Sequence, residues 1–329
     1  MRSGSVHCCI TSPPYWGQRE YGKDPGMIGL EPTLNDHIAS LVEIFHEVKR
    51  VLHPAGTLWI VYGDAYTNPN EKYVDFLPDK SLIGIPWRLA LSLQDDYWIL
   101  RNDIIWHKPN VMPESAKDRF TRCHEYIFHF SKSKHYYHDF IASEETRTGN
   151  IQKKCGMQTP ARLTAGGPTH KKPNRRNSRN RRTVLTVGTV PFKKSHFATF
   201  PPALIKPLIL SATSEKGCCA ECGTPWIRVI ERKSSTRKGP VASGFREIGK
   251  REALDETVTR GVADYHTLGW RQMCACDTEE TVPCIVLDPF SGAGTTGLAA
   301  CSLSRRYIGI EINKKYAVMS EKRIKRALL

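Results

Sequence analysis

Asp288-Pro289-Phe290-Ser291-Gly292-Ala293-Gly294-Thr295-Thr296-Gly297 is the stretch that decides the fold. It follows a short apolar run, Ile285–Leu287, that reads as a buried strand, and it opens Thr295–Ser302, which reads as a helix. Gly292, Gly294 and Gly297 fit G-x-G-x-x-G, and Glu311 falls at the end of the next predicted strand, Tyr307–Ile310. Glycines let a backbone close on a ligand, and a carboxylate so placed can hold ribose hydroxyls. Asp288 adds a second carboxylate, which suits a cationic ligand better than a pyrophosphate. S-adenosylmethionine (AdoMet), with its sulfonium and amino groups, meets that demand better than a nicotinamide dinucleotide. The roughly 40 residues beyond the loop suffice for one more strand and helix, so the rest of the sheet is expected from the N-terminal half.

Farther out, Val6–Ile10 reads as a buried strand that stops at Thr11-Ser12-Pro13-Pro14. Ile38, Leu41, Val42, Phe45, Val48 and Leu52 recur at helical spacing, and His53-Pro54-Ala55-Gly56 closes that helix. Thr57–Tyr62, Ile99–Trp106 and Tyr126–Phe130 read as strands. Trp87–Leu93 behind Pro86, Pro202–Ala212 and a last segment from Asn313 read as helices. Alternating strands and helices predict an α/β fold with a mostly parallel sheet. The chain has 329 residues, 40% hydrophobic and 25% charged, enough for a sizeable core. No apolar run nears the roughly 20 residues of a membrane span, and the start MRSGSVHCC has no signal-peptide core. A soluble, cytoplasmic protein is expected, with no membrane partner.

Lys and Arg number 48 against 33 Asp and Glu, a net +15 that suits a polyanion rather than a small metabolite. Thirteen of those cations lie between Arg147 and Lys194, where no acid occurs. The middle of this stretch, TAGGPTHKKPNRRNSRNRR, reads as loop. A solvated, disordered insert is the plain interpretation; phosphate neutralisation, with Asn, Thr and Arg reaching base edges, is the favoured one.

Ser12-Pro13-Pro14-Tyr15-Trp16 follows the first strand. Two prolines stiffen the loop and leave carbonyls outside the ladder. A Ser hydroxyl and a fixed carbonyl can grip an exocyclic amine while an aromatic ring stacks on its base. Alone the segment could be an ordinary proline-rich turn; paired with the glycine loop it becomes a second half-site.

Together the two loops resemble the amino-group (cytosine-N4 or adenine-N6) DNA methyltransferases in their permuted, beta-type order, with the catalytic loop ahead of the AdoMet loop. Ile105-Trp106-His107-Lys108-Pro109-Asn110 through Pro113 is similar to the family's W-x-K-x-N-x-x-P stretch, and His124-Glu125-Tyr126-Ile127-Phe128 to the strand after it. His196-Phe197-Ala198-Thr199-Phe200-Pro201 resembles the segment leading into the AdoMet pocket. The resemblance implies a Rossmann-like AdoMet-dependent enzyme that methylates a flipped base in double-stranded DNA, without a covalent enzyme intermediate. Ser12 and the Pro13 carbonyl, with Pro14 in the same loop, would orient the amine, and Tyr15 would stack on the base. Phe197, Thr199, Phe200, Asp288, Phe290, Gly292, Gly294, Thr295 and Glu311 would hold AdoMet. Ser at the first loop position favours cytosine-N4 over adenine-N6. A cognate restriction endonuclease is a candidate partner. Cys8 and Cys9, inside the first strand, are read as small core residues.

Eleven cysteines without an export signal argue for thiols or metal ligands. Cys218-Cys219-Ala220-Glu221-Cys222-Gly223 and Cys274-Ala275-Cys276 bracket a polar stretch and could supply four thiolates to a structural zinc. Cys219, Cys222, Cys274 and Cys276 are the expected ligands, with Cys218 the alternative to Cys219, in a small ribbon beside the DNA cleft. Unpaired loop thiols are the plain alternative. Cys123, Cys155, Cys284 and Cys301 receive no role. The resulting division is a catalytic half over 1–146, a basic target-recognition insert over 147–195, and an AdoMet half from 196–216 and 282–329. A zinc-ribbon-like insert over 217–281 interrupts that last half. The family usually carries a strand and helix ahead of the catalytic strand, whereas here the chain starts only eleven residues before Ser12. A weakened adenine pocket is therefore expected, and a rival reading follows: a relative that binds DNA without catalysis. Methylation of RNA or of protein glutamine fits the motif order and basic insert less well.

Overall fold

The computed structural model describes residues 1–17, 26–67, 77–146, 178–189, 200–235 and 262–328. Its strands are β1 (Val6–Thr11), β2 (Leu52–Tyr62), β3 (Ile99–His107), β4 (His124–Ser131), β5 (Glu145–Thr146), β6 (Ser178–Arg179) and β7 (Val184–Thr186). They continue with β8 (Cys218–Cys219), β9 (Ile227–Ser235), β10 (Val262–Arg271), β11 (Thr281–Val282), β12 (Ile285–Asp288) and β13 (Arg306–Gly309). The helices are α1 (Leu34–Val51), α2 (Ile85–Asp95), α3 (Pro202–Ala212), α4 (Thr295–Ser302) and α5 (Lys314–Leu328).

Seven strands form one sheet in the order β13-β12-β1-β2-β4-β3-β7. β4 is antiparallel to both its neighbours, and every other adjacent pair is parallel. Six strands therefore run one way, as the alternating pattern predicts. β1 is central, and all six of its residues, VHCCIT, are buried, the near-continuous apolar run of a strand covered on both faces. Cys9 packs with Phe45, Leu58 and Leu89 under α1 and α2, whereas Cys8 packs with Trp59, Leu208 and Ala299 under α3 and α4. Both thiols are fully buried, as small core residues should be.

Helix α1 begins where the Thr33 hydroxyl accepts the Asp36 N–H at 3.1 Å, a side-chain cap on an orphan donor. Leu34, Ile38, Leu41, Phe45 and Val48 form its buried stripe. The helix stops at Val51, but His53-Pro54-Ala55-Gly56 does not form a separate closing turn. Those residues are already part of β2, and their extra length shifts the register from Val6↔Leu52 to Cys8↔Thr57.

Two features go beyond the sequence expectations. Val184–Thr186, inside the basic stretch, is the edge strand β7 beside β3; the β-branched run Thr183-Val184-Leu185-Thr186-Val187 is the signal that marks it. Of the thirteen cations only Arg179, Arg181 and Arg182 lie among the described residues, and all three hold the fold. Arg179 and Arg182 each meet Glu145 at 2.7 Å, and Arg181 donates to the Ser143 and Glu144 carbonyls. The remaining ten fall outside the described residues. The polar stretch between the cysteine pairs contains an antiparallel hairpin, β9–β10, and β8 pairs with β11 at its root. No described helix is long and apolar enough to cross a membrane.

Candidate active site

Parallel strands deliver their C-terminal ends to one edge of the sheet, where open α/β folds place ligands. Here β1 ends in the Ser12–Tyr15 loop, β12 in the Asp288 loop and β2 in Gly63. A single cavity of about 1010 Å³ joins them. Ser12, Pro13, Pro14 and Tyr15 line one side; Asp288, Phe290, Gly292, Thr295 and Glu311 line the other, with Phe200 in the wall. The two half-sites, more than 270 residues apart in sequence, thus share one space. Phe197 and Thr199 lie outside the described residues.

Gly294 departs from its expected place. It does not line the cavity; its left-handed φ of 74° starts α4, and a Cβ there would run into Ser320 of α5. Its role is helix packing. Gly292, with φ 47°, does face the cavity.

Asp288 is 2% exposed. Its Oδ1 accepts from the Thr11 hydroxyl at 2.6 Å and the Phe290 N–H at 3.1 Å, while Oδ2 accepts from the Thr296 hydroxyl at 2.6 Å. The carboxylate thus ties β1 to the glycine loop as well as facing the cavity. Burial pushes its pKa up to about 6, against the lowering effect of those hydroxyls. Glu311 accepts from the Gly292 N–H at 2.7 Å and the Asn313 N–H at 2.9 Å. Each of its oxygens keeps a lone pair for a further donor.

Tyr15 is held by its hydroxyl, which donates to Glu125 Oε2 at 3.0 Å. Lys108 pairs with Oε1 of the same carboxylate and sits 4.4 Å from the Trp106 ring centroid. Burial and the Glu125 charge raise the Tyr15 pKa well above its ordinary value, so the hydroxyl stays protonated. Gly63 makes room for the ring: a Cβ there would stand 2.8 Å from Tyr15 Cε2. The other residues of the Trp106 stretch act as clamps. Trp106 Nε1 donates to the Val187 carbonyl at 2.8 Å, and Asn110 exchanges hydrogen bonds with the Thr189 backbone at 2.9 and 3.0 Å. Motif resemblance located Lys108 and Glu125 without assigning them a function; the fold gives them one.

A second support was not legible in the sequence at all. Tyr62 Oη lies 3.2 Å from the Pro14 carbonyl and 2.7 Å from His37 Nε2, and His37 Nδ1 lies 2.8 Å from Glu31 Oε2. That oxygen also accepts the Gly29 N–H, and Trp16 Nε1 donates to the Glu31 carbonyl. Burial lowers the His37 pKa despite Glu31. Neutral His37 then donates from Nδ1 to Glu31 and accepts at Nε2, so Tyr62 shares its single proton between His37 and Pro14. Neither Tyr62 nor His37 lines the cavity. They buttress the loop from behind.

The sulfurs of Cys219, Cys222, Cys274 and Cys276 lie within 4.8 Å of one another, a set with the composition of a structural zinc site. Cys218 does not join them. It groups instead with His7 and with Cys284, a residue given no role from sequence. His7 Nδ1 accepts the Ile285 N–H at 3.0 Å, so its Nε2 hydrogen donates to the Gly223 carbonyl at 2.8 Å. This bond docks the knuckle onto the start of β1. The cavity lies at the other end of that strand, roughly 17 Å away at about 3.3 Å per residue. None of the four cysteines lines the cavity.

Residues 6–220 and 283–322 match the family model of the N6/N4 methyltransferases, described as DNA methylases. The chain is 38% identical to the Type II methyltransferase M.XycI of Xanthomonas campestris pv. cyanopsidis, across 98% of this chain and 83% of that one. M.Cfr9I of Citrobacter freundii is 37% identical with the same coverage. Among solved structures, PvuII DNA methyltransferase (cytosine-N4-specific) shares the fold at a TM-score of 0.54 and 16% identity, over 99% of this chain and 86% of that one. With its matched segments spanning most of the sequence and its two loops closing one cavity, the chain belongs to the N6/N4 family of DNA methylases.

Proposed function

We propose that the chain methylates the exocyclic amino group of a base flipped out of double-stranded DNA, cytosine N4 rather than adenine N6, with AdoMet as the donor. The observation that carries this reading is the single cavity lined by both Ser12–Tyr15 and Asp288–Thr295. At about 1010 Å³ it reaches the upper end of ordinary ligand sites, about 300–1,000 Å³, and has room for a cofactor beside a base. Its residues suit the group: Asp288 and Glu311 offer carboxylates to a cation and a ribose, and Phe200, Phe290 and Ile312 add apolar wall. Bound there, AdoMet supplies an activated methyl group on a sulfonium. Ser12 and the Pro13 carbonyl accept hydrogen bonds from the target amine, and Tyr15 presents its ring to the base. The amine nitrogen is the nucleophile, no covalent bond to the protein forms, and its surplus proton leaves after transfer. Positioning supplies most of the rate.

The cations between Arg147 and Lys194, apart from the three arginines spent on the fold, neutralise backbone phosphates. Ser12 at the head of the loop is what favours cytosine. Relatives named as Type II methyltransferases support a place in restriction–modification, in the cytoplasm, opposite a cognate endonuclease. The four-thiolate cluster holds one structural zinc, which pins the hairpin module to the sheet. Methylome sequencing of DNA from cells expressing the chain tests the central reading. N4-methylcytosine in a fixed context is expected. N6-methyladenine would overturn the base assignment, and unmodified DNA the activity.

A further inference from the structure

β3 and β4 stay paired up to the turn between them, through His107↔His124, and the Lys108 N–H closes on the Cys123 carbonyl at 2.7 Å. The chain between them is a hairpin loop over the cavity mouth, for Lys108, Glu114 and Arg122 all line the cavity. The loop has its own scaffold. Arg119 lies 3.9 Å from the Tyr66 ring centroid and pairs with Glu114, and Asp118 pairs with Lys80 at 2.9 Å. On this braced loop Phe120 is 96% exposed and Met112 85% exposed. A single exposed apolar residue is ordinary on a protein surface. Here a whole aromatic ring, with Met112 beside it on the same braced loop, stands two residues and so at most about 7 Å of chain from a cavity-lining arginine. Both acids of the loop are taken up in ion pairs, whereas Lys117 and Arg122 have no ion-pair partner among the described residues. The tip therefore offers an apolar ring flanked by spare positive charge, the pairing that suits a duplex whose stack is opened between two phosphate backbones.

We propose that Phe120 is an intercalating wedge, which enters the DNA stack beside the target base and holds the gap left when that base turns into the cavity. This rests on the flipped-base reading above and adds to it the residue that stabilises the opened duplex. The ring contributes only while a paired base has to be displaced; on a target that is already unpaired it has nothing to offset. That difference separates a wedge from a general DNA contact or from a face that binds another protein.

The test uses the full chain and two oligonucleotide duplexes carrying the context that the wild type methylates. One is intact, and the other has an abasic residue opposite the target base. Phe120→Ala, at a surface position that does not bear on folding, is expected to lower kcat/KM on the intact duplex by about 10- to 100-fold, the range of one lost base–aromatic stack. On the abasic duplex it should stay within about threefold of wild type, and Phe120→Trp should restore the intact duplex. An equal loss on both duplexes, or no loss on either, overturns the wedge while the methyltransferase reading stands. A wild-type chain that methylates no DNA overturns that reading and the wedge with it, before any variant is compared.

Discussion

Tyr62→Phe removes one buried oxygen and leaves every cavity-lining side chain in place. Tyr62 and His37 are both fully buried, and the lost hydroxyl leaves His37 Nε2 without its partner at 2.7 Å. Pro14 also loses a contact at 3.2 Å, but it lines the cavity and can turn to water. An unsatisfied buried polar atom costs about 1–3 kcal/mol, so a destabilisation of about 2 kcal/mol is expected. In a chain of this size that is a fall in Tm of roughly 4–8 °C at most. The functional effect should exceed what stability alone explains, because Pro14 stands next to the carbonyl proposed to hold the amine. Misplacing a reacting group by about 1 Å costs on the order of 100-fold, so kcat should drop about 10- to 100-fold. AdoMet affinity should not change. Thermal unfolding, single-turnover methylation and calorimetric titration of AdoMet read these three quantities separately. His37→Ala acts on the same chain of contacts, so the double variant should lose less than the sum of the singles. Wild-type turnover in Tyr62→Phe, or strictly additive losses, would refute the idea that this chain supports the catalytic loop.

Tyr15→Ala should lower methylation by the worth of one stack, about 1–3 kcal/mol, whereas Tyr15→Phe, which keeps the ring and loses only the bond to Glu125, should lose less; equal losses in a kinetic comparison would show that the hydroxyl matters more than the ring. Asp288 has a folded pKa of about 6 against an unfolded value near 3.9, so AdoMet affinity should weaken as pH falls through about 6, and Asp288→Asn should abolish that dependence in binding titrations. The same shift has the opposite sign for stability. The folded state gains the proton first, so Asp288 stabilises the fold as pH falls from about 6 toward 4. His129, stacked 3.7 Å from Trp59 with its pKa pushed down to about 3 by burial, works against it: its contribution is complete above pH about 6.5 and is lost as pH falls toward 3. His129→Phe should flatten that acid limb in urea titrations, and an unchanged limb would assign it to other groups. Elemental analysis should find about one zinc per chain, and Cys222→Ala should remove it and lower Tm while leaving AdoMet affinity intact, because the cluster sits at the far end of β1; metal-free protein with an unchanged Tm would remove zinc from the account.

What was legible in the sequence was short-range or chemically distinctive. β1 and β2 announce themselves by apolar runs, α1 by a 3.6-residue stripe, and the glycine loop by its place between strand and helix. The cysteine module could be located by spacing, because close thiol pairs of the C-x2-C and C-x-C kind have few other uses than a metal. Cys218 and Cys219 could not be told apart that way: one residue reverses the side of a strand, and the fold places the Cys219 sulfur with the cluster and the Cys218 sulfur with His7 and Cys284. β7 was hidden by composition, since three arginines around it pointed to nucleic acid although Glu145 and the nearby carbonyls take them up.

The supports of the catalytic loop were hidden for another reason. Glu31, His37 and Tyr62 are ordinary residues at unremarkable spacing, and each has a good alternative reading as a capping acid, a core histidine or a strand tyrosine. They become a unit only when α1 lies across β2 and points His37 at Tyr62. The same holds for Gly294, which satisfies a ligand-binding pattern in sequence but is required by Ser320 on a helix that packs against its own. A motif therefore names residues that the site needs without saying which of them touch ligand. Asp288 shows the limit most clearly: it faces the cavity, yet Thr11, Thr296 and the Phe290 amide already hold both its oxygens. Its carboxylate joins the two half-sites mechanically before any ligand arrives, so the charge offered to a cofactor and the rigidity of the catalytic loop are set by the same group.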